Sequence, residues 1–393
     1  MPRRLRILFI APYEPSALAV RSRLLLEGMA QRHDVDALTL RRAKDRDGTW
    51  PMIRHRSFSS QPSDRLIGLA RVLDRSRPLQ LVPAVSRELS SAVMAALQRD
   101  AYDLVHVEHL RALQYLPRQH PPLLFDAVDC VSHLFKLASA AQPLPRRWVF
   151  AAERHRAERL ERQALSGAER VLVASHRDAV QLRMLDPQAP VAVVPNPVEL
   201  PYLALQPRKR NTVLFSGKMS FHANERAAEW FCSSVWPLVL RKKPDAHLVI
   251  AGANPSARLR AHAGRHVQVT GFVPNMKELI ASANVAVAPL LYAVGVQNKI
   301  LEAFAEATPV VATPVAVGDL GVQPGRDLVI AQHAVDFAAA VVQLLDDSKT
   351  ARKIGRAGRS YVERFHAPER VWDLLDAQYR QLLGEMPTAS AVA

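Results

Sequence analysis

The sequence predicts an α/β protein built from two doubly wound parallel sheets, and three observations carry that reading. Short, nearly continuous apolar runs alternate with segments whose apolar residues recur every three or four positions, as expected for buried strands between helices. The alternation stops once, over Val191–Arg210, where Pro195-Asn196-Pro197, Pro201 and the charged Pro207-Arg208-Lys209-Arg210 interrupt it, and then restarts from a new first strand. A chain of 393 residues is long enough for two such domains.

In the first half, strands are expected at Leu5–Ile10, Val35–Leu40, Leu104–Val107, Leu123–Val128 and Val171–Ala174, with a short one at Val193-Val194. Helical spacing appears in Leu24, Leu25, Gly28 and Met29 and again in Leu160, Ala164 and Leu165. Ala43–Asp64 is polar and irregular and reads as a long loop. Arg3, Arg4 and Arg6 before Ile7–Ala11, with Ala17-Leu18-Ala19 beyond, imitate a signal peptide. The apolar run is short, however, and Tyr13-Glu14-Pro15 breaks it, so a first buried strand is expected instead.

In the second half the strands fall at Thr212–Phe215, His247–Ala251, Val267–Val269, Val285–Ala288, Val310–Ala312 and Leu328–Ile330. The segment Pro368–Leu383 is amphipathic, with Val371, Leu374, Leu375, Tyr379 and Leu382 on one side. The expected organisation is a first Rossmann-like domain over 1–195, a linker over 196–210, a second over 211–366, and a helix and tail over 367–393 returning to the first domain. Two such domains facing each other bring their carboxyl strand ends, the usual ligand crevice, to a shared cleft.

Composition narrows the partners. Hydrophobic residues at 49% and charged residues at 23% are globular proportions, which exclude disordered and collagenous classes. Cys130 and Cys232 alone build neither a disulfide framework nor a zinc site, in keeping with a cytoplasmic protein. The net charge of +15 points toward an acidic partner. Many arginines are nevertheless accompanied by acids, as in Arg154, Arg156, Glu158, Arg159, Glu161 and Arg162, the pattern of a solvated helix face. Nucleic acid is not expected, because no recognition motif occurs and aromatics make up only 6%. The arginine-rich stretches Arg41, Arg42, Arg54, Arg56, Arg71, Arg75, Arg77 and Arg146, Arg147 would suit an anionic membrane surface. No apolar run is long enough to span a bilayer.

Neither first strand leads into Gly-x-Gly-x-x-Gly, and no Walker A sequence occurs, so hydride transfer and ATP hydrolysis by the common routes are disfavoured. The strand ending at Phe215 runs into Ser216-Gly217-Lys218, where a glycine permits close backbone approach and a lysine offers a compact charge for a phosphate. A turn glycine beside a surface lysine explains the same letters. Gly295-Val296-Gln297-Asn298-Lys299-Ile300-Leu301-Glu302 follows the strand Val285–Ala288. Gly295 is expected to open a helix whose N-terminus favours an anion, with Lys299 and Glu302 three apart on one face. A carboxylate held near a sheet needs hydrogen-bond donors, and ribose hydroxyls are suitable ones. Asp45-Arg46-Asp47 is not at a strand end, and His106-Val107-Glu108-His109 lacks zinc-protease spacing, so no metal site is expected. On a strand His106 and Glu108 share a face that His109 does not, and His106 reads as a satisfied half-buried histidine.

From Val213 to about Phe365 the chain resembles the family 4 type of glycosyltransferases, and most of all their exopolysaccharide-associated sugar transferases. The resemblance rests on Ser216-Gly217-Lys218, Ala251-Gly252, Val269-Thr270-Gly271-Phe272-Val273, Gly295-Val296-Gln297-Asn298-Lys299-Ile300-Leu301-Glu302-Ala303 and Thr308-Pro309-Val310-Val311-Ala312-Thr313. The N-terminal half matches in outline. The resemblance implies the two-domain GT-B fold, with the first domain on the acceptor side and the second holding a nucleotide-sugar donor. Glu302 would hold the ribose, Lys218 beside Gly217 and Lys299 the diphosphate with N–H groups from Gly295, Val296, Gln297 and Asn298, and Phe272 and Val273 the nucleobase.

Departures accompany it. The family's frequent first glutamate falls at Val294, its glycine-rich loop at Ser16-Ala17-Leu18-Ala19, and its His-Asp pair at Val128-Asp129. Asp126 and Asp129 remain as candidate catalytic groups, structural helix-capping carboxylates being the alternative. The implied reaction retains anomeric configuration without cofactor or metal. Its acceptor is a saccharide or polyprenyl-linked saccharide at the inner face of the plasma membrane, in exopolysaccharide assembly. A nucleotide-sugar epimerase on the same fold, or a catalytically inert nucleotide-sugar-binding scaffold, are the competing readings.

Overall fold

The structure, a computed structural model, describes residues 3–16, 19–41, 52–73, 78–141, 144–202 and 208–385. The chain divides into two units, Met1–Pro197 with Pro368–Ala393, and Val198–Ala367.

The first unit runs β1 (Arg6–Ala11), α1 (Val20–Arg32), β2 (Asp34–Arg41), β3 (Arg54–Ser59), α2 (Pro62–Leu73), α3 (Arg87–Arg99), β4 (Leu104–Glu108), β5 (Leu123–Val128), α4 (Val131–Ala141), α5 (Arg146–Gly167), β6 (Arg170–Val173), α6 (His176–Leu185) and β7 (Val191–Val193). Its strands form one parallel sheet in the order β3-β2-β1-β4-β5-β6-β7. Period-two alternation along β1 sends Leu5, Ile7 and Phe9 to one face, against Leu25 and Met29 of α1, and Leu8 and Ile10 to the other, against Leu89 and Val93 of α3.

The second unit runs β8 (Thr212–Ser216), α7 (His222–Trp230), a π-helical turn Phe231–Val235, α8 (Trp236–Lys242), β9 (His247–Ala251), α9 (Ala257–Arg260), β10 (Val267–Gly271), α10 (Met276–Ser282), β11 (Val285–Ala288), α11 (Asn298–Ala305), β12 (Val310–Ala312), α12 (Pro314–Val317), β13 (Val329–Ile330), α13 (Ala334–Asp346) and α14 (Ser348–Phe365). Its parallel sheet has the order β10-β9-β8-β11-β12-β13. Side chains chosen for the task stop the helices from fraying: Asn275 caps α10 and Asp347 accepts from the Lys349 and Thr350 N–H groups at the start of α14.

The last helix, α15 (Pro368–Leu382), belongs to the first unit, where Val371, Leu375 and Tyr379 are buried beside Leu5, Ile7 and Phe9. Trp372 Nε1 donates to the Leu24 carbonyl at 2.7 Å, and His33 Nε2 lies 2.9 Å from Asp376.

One sequence expectation changes here. Ala43–Asp64 is not loop throughout, because β3 lies inside it and pairs in register with β2 from Asp36↔Arg54 to Arg41↔Ser59. Its sequence, Arg-His-Arg-Ser-Phe-Ser, is polar because β3 is an edge strand, where among the described residues one side of the ladder faces no neighbouring strand. The expected first strand is present as β1, which is buried from Ile7 onward. Among the described residues no helix is long and apolar enough to cross a membrane.

Candidate functional site

Each sheet has one point where its strand order reverses: between β8 and β11 in the second unit and between β1 and β4 in the first. At such a point the two connections leave in opposite directions and open a crevice beyond the carboxyl strand ends. In both units, chemistry-bearing side chains gather there.

In the second unit, hydrogen bonds tie three strand ends together. Gly217 N–H donates to the Ala251 carbonyl at 3.0 Å and Gly252 N–H to the Gly271 carbonyl at 2.9 Å. Gly217 and Gly252 both have φ of 150°, and a β-carbon built on Gly217 would lie 2.9 Å from Asn224 Nδ2 and 3.4 Å from Lys299 Cε. Asn224 in turn donates to the Lys218 carbonyl at 3.0 Å. Gly217, Lys218 and Lys299 are thus neighbours, although 82 residues separate the first and last; Lys218 is exposed and Lys299 half-buried.

Lys299 sits in the first turn of α11, its Nζ 3.2 Å from Gln297 Oε1 and 6.0 Å from the centre of the Phe215 ring. Gln297 is braced by its amide, which donates to the Val294 carbonyl at 3.0 Å. Burial lowers the Lys299 pKa to about 8, opposed by Glu302, and burial raises that of Glu302 to about 7, opposed by Lys299 and Lys277. A half-buried cation and carboxylate on one helix face are an arrangement that an incoming anion and hydroxyl donors would satisfy.

The expectation that Gly295 opens this helix is corrected. The helix begins at Asn298, and Gly295 lies before it at φ 63°, a left-handed conformation that no helical residue adopts and that glycine reaches without a steric penalty. Val296 and Asn298 flank Gln297 in the same approach to the helix. Phe272 follows β10 with 62% of its surface exposed, whereas Val273 packs on the core of the unit. His222, unremarked in the sequence, is also placed here: its Nδ1 is 2.6 Å from the Tyr292 hydroxyl of the loop after β11, with the rings stacked.

In the first unit, Asp126 is fully buried. One oxygen receives Arg21 Nε and Nη2 at 3.2 and 2.8 Å, and the other accepts the Val128 N–H at 3.0 Å. Arg21 also donates to the Val194 carbonyl and Asn196 Oδ1. Val128 occupies φ 66°, a strained position for a β-branched residue, held by the Asp126 oxygen and by its carbonyl accepting the Ala174 N–H. Asp129 is half-buried, and burial together with Asp178 raises its pKa to about 7.

Sequence reasoning did not assemble the neighbouring cluster. Glu108 Oε1 accepts from both the Tyr13 and Ser22 hydroxyls, while Oε2 has no hydrogen-bond partner, and burial with Asp126 nearby raises the carboxyl to about 7. His106 is fully buried rather than half-buried: Nδ1 is 2.7 Å from the Tyr379 hydroxyl and Nε2, without a hydrogen bond, is 3.9 Å from Asp126. Its pKa falls to about 4 through burial. The adjacency of β1 and β4 brings these residues together, and local spacing carries no trace of it.

Asp45-Arg46-Asp47, Ala17-Leu18 and Arg42, Arg75 and Arg77 lie outside the described residues, as does the side chain of Arg71. Of the other arginines, Arg54 is 2.8 Å from Asp36 and the Arg56 guanidinium covers the Phe58 ring. Among the described residues no group of three or more His, Cys, Asp or Glu is placed to hold a metal ion.

Two parallel sheets, each wound in both directions from a switch point, are the architecture shared with the GT-B structures to which the chain is similar. Residues 210–347, which lie within the second unit, match the family described as glycosyl transferases group 1. The sucrose-phosphate synthase of Thermosynechococcus elongatus superposes with a TM-score of 0.74 at 20% identity, over 97% of this chain and 100% of that one. Anabaena Alr3699/HepE, solved in complex with UDP and glucose, gives 0.68 at 14% identity over 96% and 100%. An uncharacterized 44.6 kDa protein in the cps region of Klebsiella pneumoniae is 24% identical over 172 residues; the match spans 41% of this chain and 44% of that relative, less than half its length.

Proposed function

We propose that this protein is a retaining glycosyltransferase, moving a sugar from a nucleotide-diphosphate sugar to a saccharide or polyprenyl-linked saccharide in the assembly of an exopolysaccharide or other cell-surface polysaccharide. The observation that carries the reading is the meeting of Gly217, Lys218 and the Lys299–Glu302 face at the switch point of the second sheet. The UDP and glucose bound by the Anabaena protein, and the cps region that holds the Klebsiella relative, support the donor class and the biosynthetic setting.

In this reading the diphosphate lies against the Gly217 turn, which close packing on Asn224 and Lys299 reserves for glycine, and is neutralised by Lys218, Lys299 and the N-terminal end of α11. Glu302 accepts the ribose hydroxyls, and the nucleobase rests beside exposed Phe272. The bond from the anomeric carbon to phosphate breaks while a bond to the acceptor oxygen forms on the same face, and the leaving diphosphate takes the acceptor's proton. Charge grows on the diphosphate as the bond breaks, so fixed cations there lower the barrier more than they tighten ground-state binding. Asp126 acts from behind by fixing Arg21 and the turn at Val128, which leaves half-buried Asp129 as the carboxyl directed to the transferring sugar. The donor is a substrate and the reaction calls on no resident cofactor. The protein works in the cytoplasm, attached peripherally to the inner face of the plasma membrane.

A thermal-shift screen against nucleoside diphosphates and their sugars tests the donor site, since a specific ligand raises the melting temperature by mass action. Loss of the shift in Lys218→Ala and Glu302→Ala is expected; an intact shift in both removes the site assignment. Product analysis then separates the chemistries: a new glycosidic bond supports transfer, a free epimer without acceptor supports epimerisation, and donor binding without turnover supports an inert scaffold.

A further inference from the structure

Helices α4 and α5 form a hairpin whose tip is fixed by Ser139 Oγ donating to the Arg147 carbonyl at 3.1 Å. At this tip every residue from Leu144 to Val149 is exposed, and Trp148 and Leu144 leave 70% and 66% of their surface to solvent. The sequence from Val131 to Ala152 contains Lys136, Arg146 and Arg147 and no Asp or Glu. The first acid beyond it, Glu153, is buried and already engaged by the Leu79 N–H at 2.7 Å and Arg156 at 2.8 Å. Among the described residues, neither the Arg146 nor the Arg147 side chain has an ion-pair or hydrogen-bond partner. Farther along α5, by contrast, Arg154 and Arg156 are paired with Glu158 and Glu153.

An exposed indole next to two unpaired guanidinium groups, in a stretch of chain that carries no carboxylate, matches the boundary between water and an acidic bilayer. There the indole's apolar body and N–H are both accommodated, and each cation near the surface strengthens partitioning by about fivefold. We propose that the α4–α5 tip is a docking surface for an anionic lipid bilayer, with Trp148 and Leu144 seated at headgroup depth and Arg146 and Arg147 against acidic phosphates. This deepens the peripheral-attachment part of the reading above and rests on it, and it is independent of the donor site.

The test is co-sedimentation of the full chain with phosphatidylcholine vesicles and with mixed phosphatidylcholine–phosphatidylglycerol vesicles. Wild type is expected to bind the mixed vesicles only. Partitioning should fall at least about tenfold in Arg146→Glu/Arg147→Glu and in Leu144→Ser/Trp148→Ser, with unchanged melting temperature and nucleotide-induced shift. Brominated lipid chains should quench the wild-type fluorescence, and Trp148→Phe should bind but lose that quenching. Absence of wild-type binding overturns both docking and peripheral attachment while the donor site stands. Binding that both double variants retain overturns the tip alone. Self-association in solution that Leu144→Ser/Trp148→Ser abolishes assigns the tip to a second copy and overturns the lipid assignment.

Discussion

A β-carbon added to Gly252 would lie 1.6 Å from the carbonyl oxygen of Gly217. The two backbones touch because β8 and β9 are each followed directly by a glycine at φ 150°, and neither glycine has space for a side chain. Gly252→Ala should therefore displace the Gly217 turn. Chemical denaturation is expected to show a loss on the order of 1–3 kcal/mol, the cost of forcing an atom into a packed site. The thermal shift with nucleoside diphosphates should disappear in the same variant. A retained shift would mean that the Gly217 turn does not carry the phosphate.

Nucleotide binding should depend on pH through a narrow window. Below about 7, Glu302 takes up a proton and ceases to be a full acceptor; above about 8, Lys299 loses its proton and its charge. Affinity for nucleoside diphosphates is thus expected to peak between those values and to decline on either side. Titration calorimetry in buffers of different ionisation enthalpy should show proton release on the acid side, as ribose donors favour the carboxylate. It should show uptake on the alkaline side, as phosphate favours the ammonium. A flat affinity from pH 6 to pH 9 would contradict the assignment.

Glu302→Gln and Lys299→Met should each weaken donor binding by roughly tenfold to a hundredfold, the range for one charge-assisted hydrogen bond. Lys299→Met is expected to reduce kcat as well as raise KM, because its charge meets the leaving group. Glu302→Gln should act mainly on KM.

Asp126→Asn should destabilise the first unit by about 3–5 kcal/mol, since it strands the buried Arg21 guanidinium. The paired change Arg21→Met/Asp126→Leu should recover much of that loss in denaturant unfolding. Recovery of stability without recovery of turnover would separate the positioning role of this pair from its structural one.

Gly28→Ala places a methyl group 2.2 Å from the Trp372 ring, on the face where α15 packs against α1. A loss of about 1–3 kcal/mol is expected in the wild-type background and much less in Trp372→Ala, a coupling that a double-mutant cycle would measure.

Buried parallel strands were legible to the residue: Leu123–Val128, His247–Ala251, Val285–Ala288 and Val310–Ala312 are the same in sequence pattern and structure. Both faces of such strands must be apolar, so the run itself marks the ends. β3 was not legible, because an edge strand requires no continuous apolar run and Arg54–Ser59 reads as loop. The second-unit site was legible because Gly217-Lys218 and Gly295–Glu302 are each local, and the strand order only has to bring them together. Tyr13 and Ser22 meet Glu108 across 95 and 86 residues, and Tyr379 meets His106 across 273. Spacing along the chain carries no information about such meetings; they follow from strand order and from where α15 docks.

That docking also orders events during synthesis. Leu5, Ile7 and Phe9 are translated more than 360 residues before Val371, Leu375 and Tyr379, which help to cover them. The nascent first sheet therefore waits with one flank covered only in part, by α1, while Val198–Ala367, a single uninterrupted stretch, has every strand and helix it needs as soon as it is out. The half translated later is the half able to reach its native packing first.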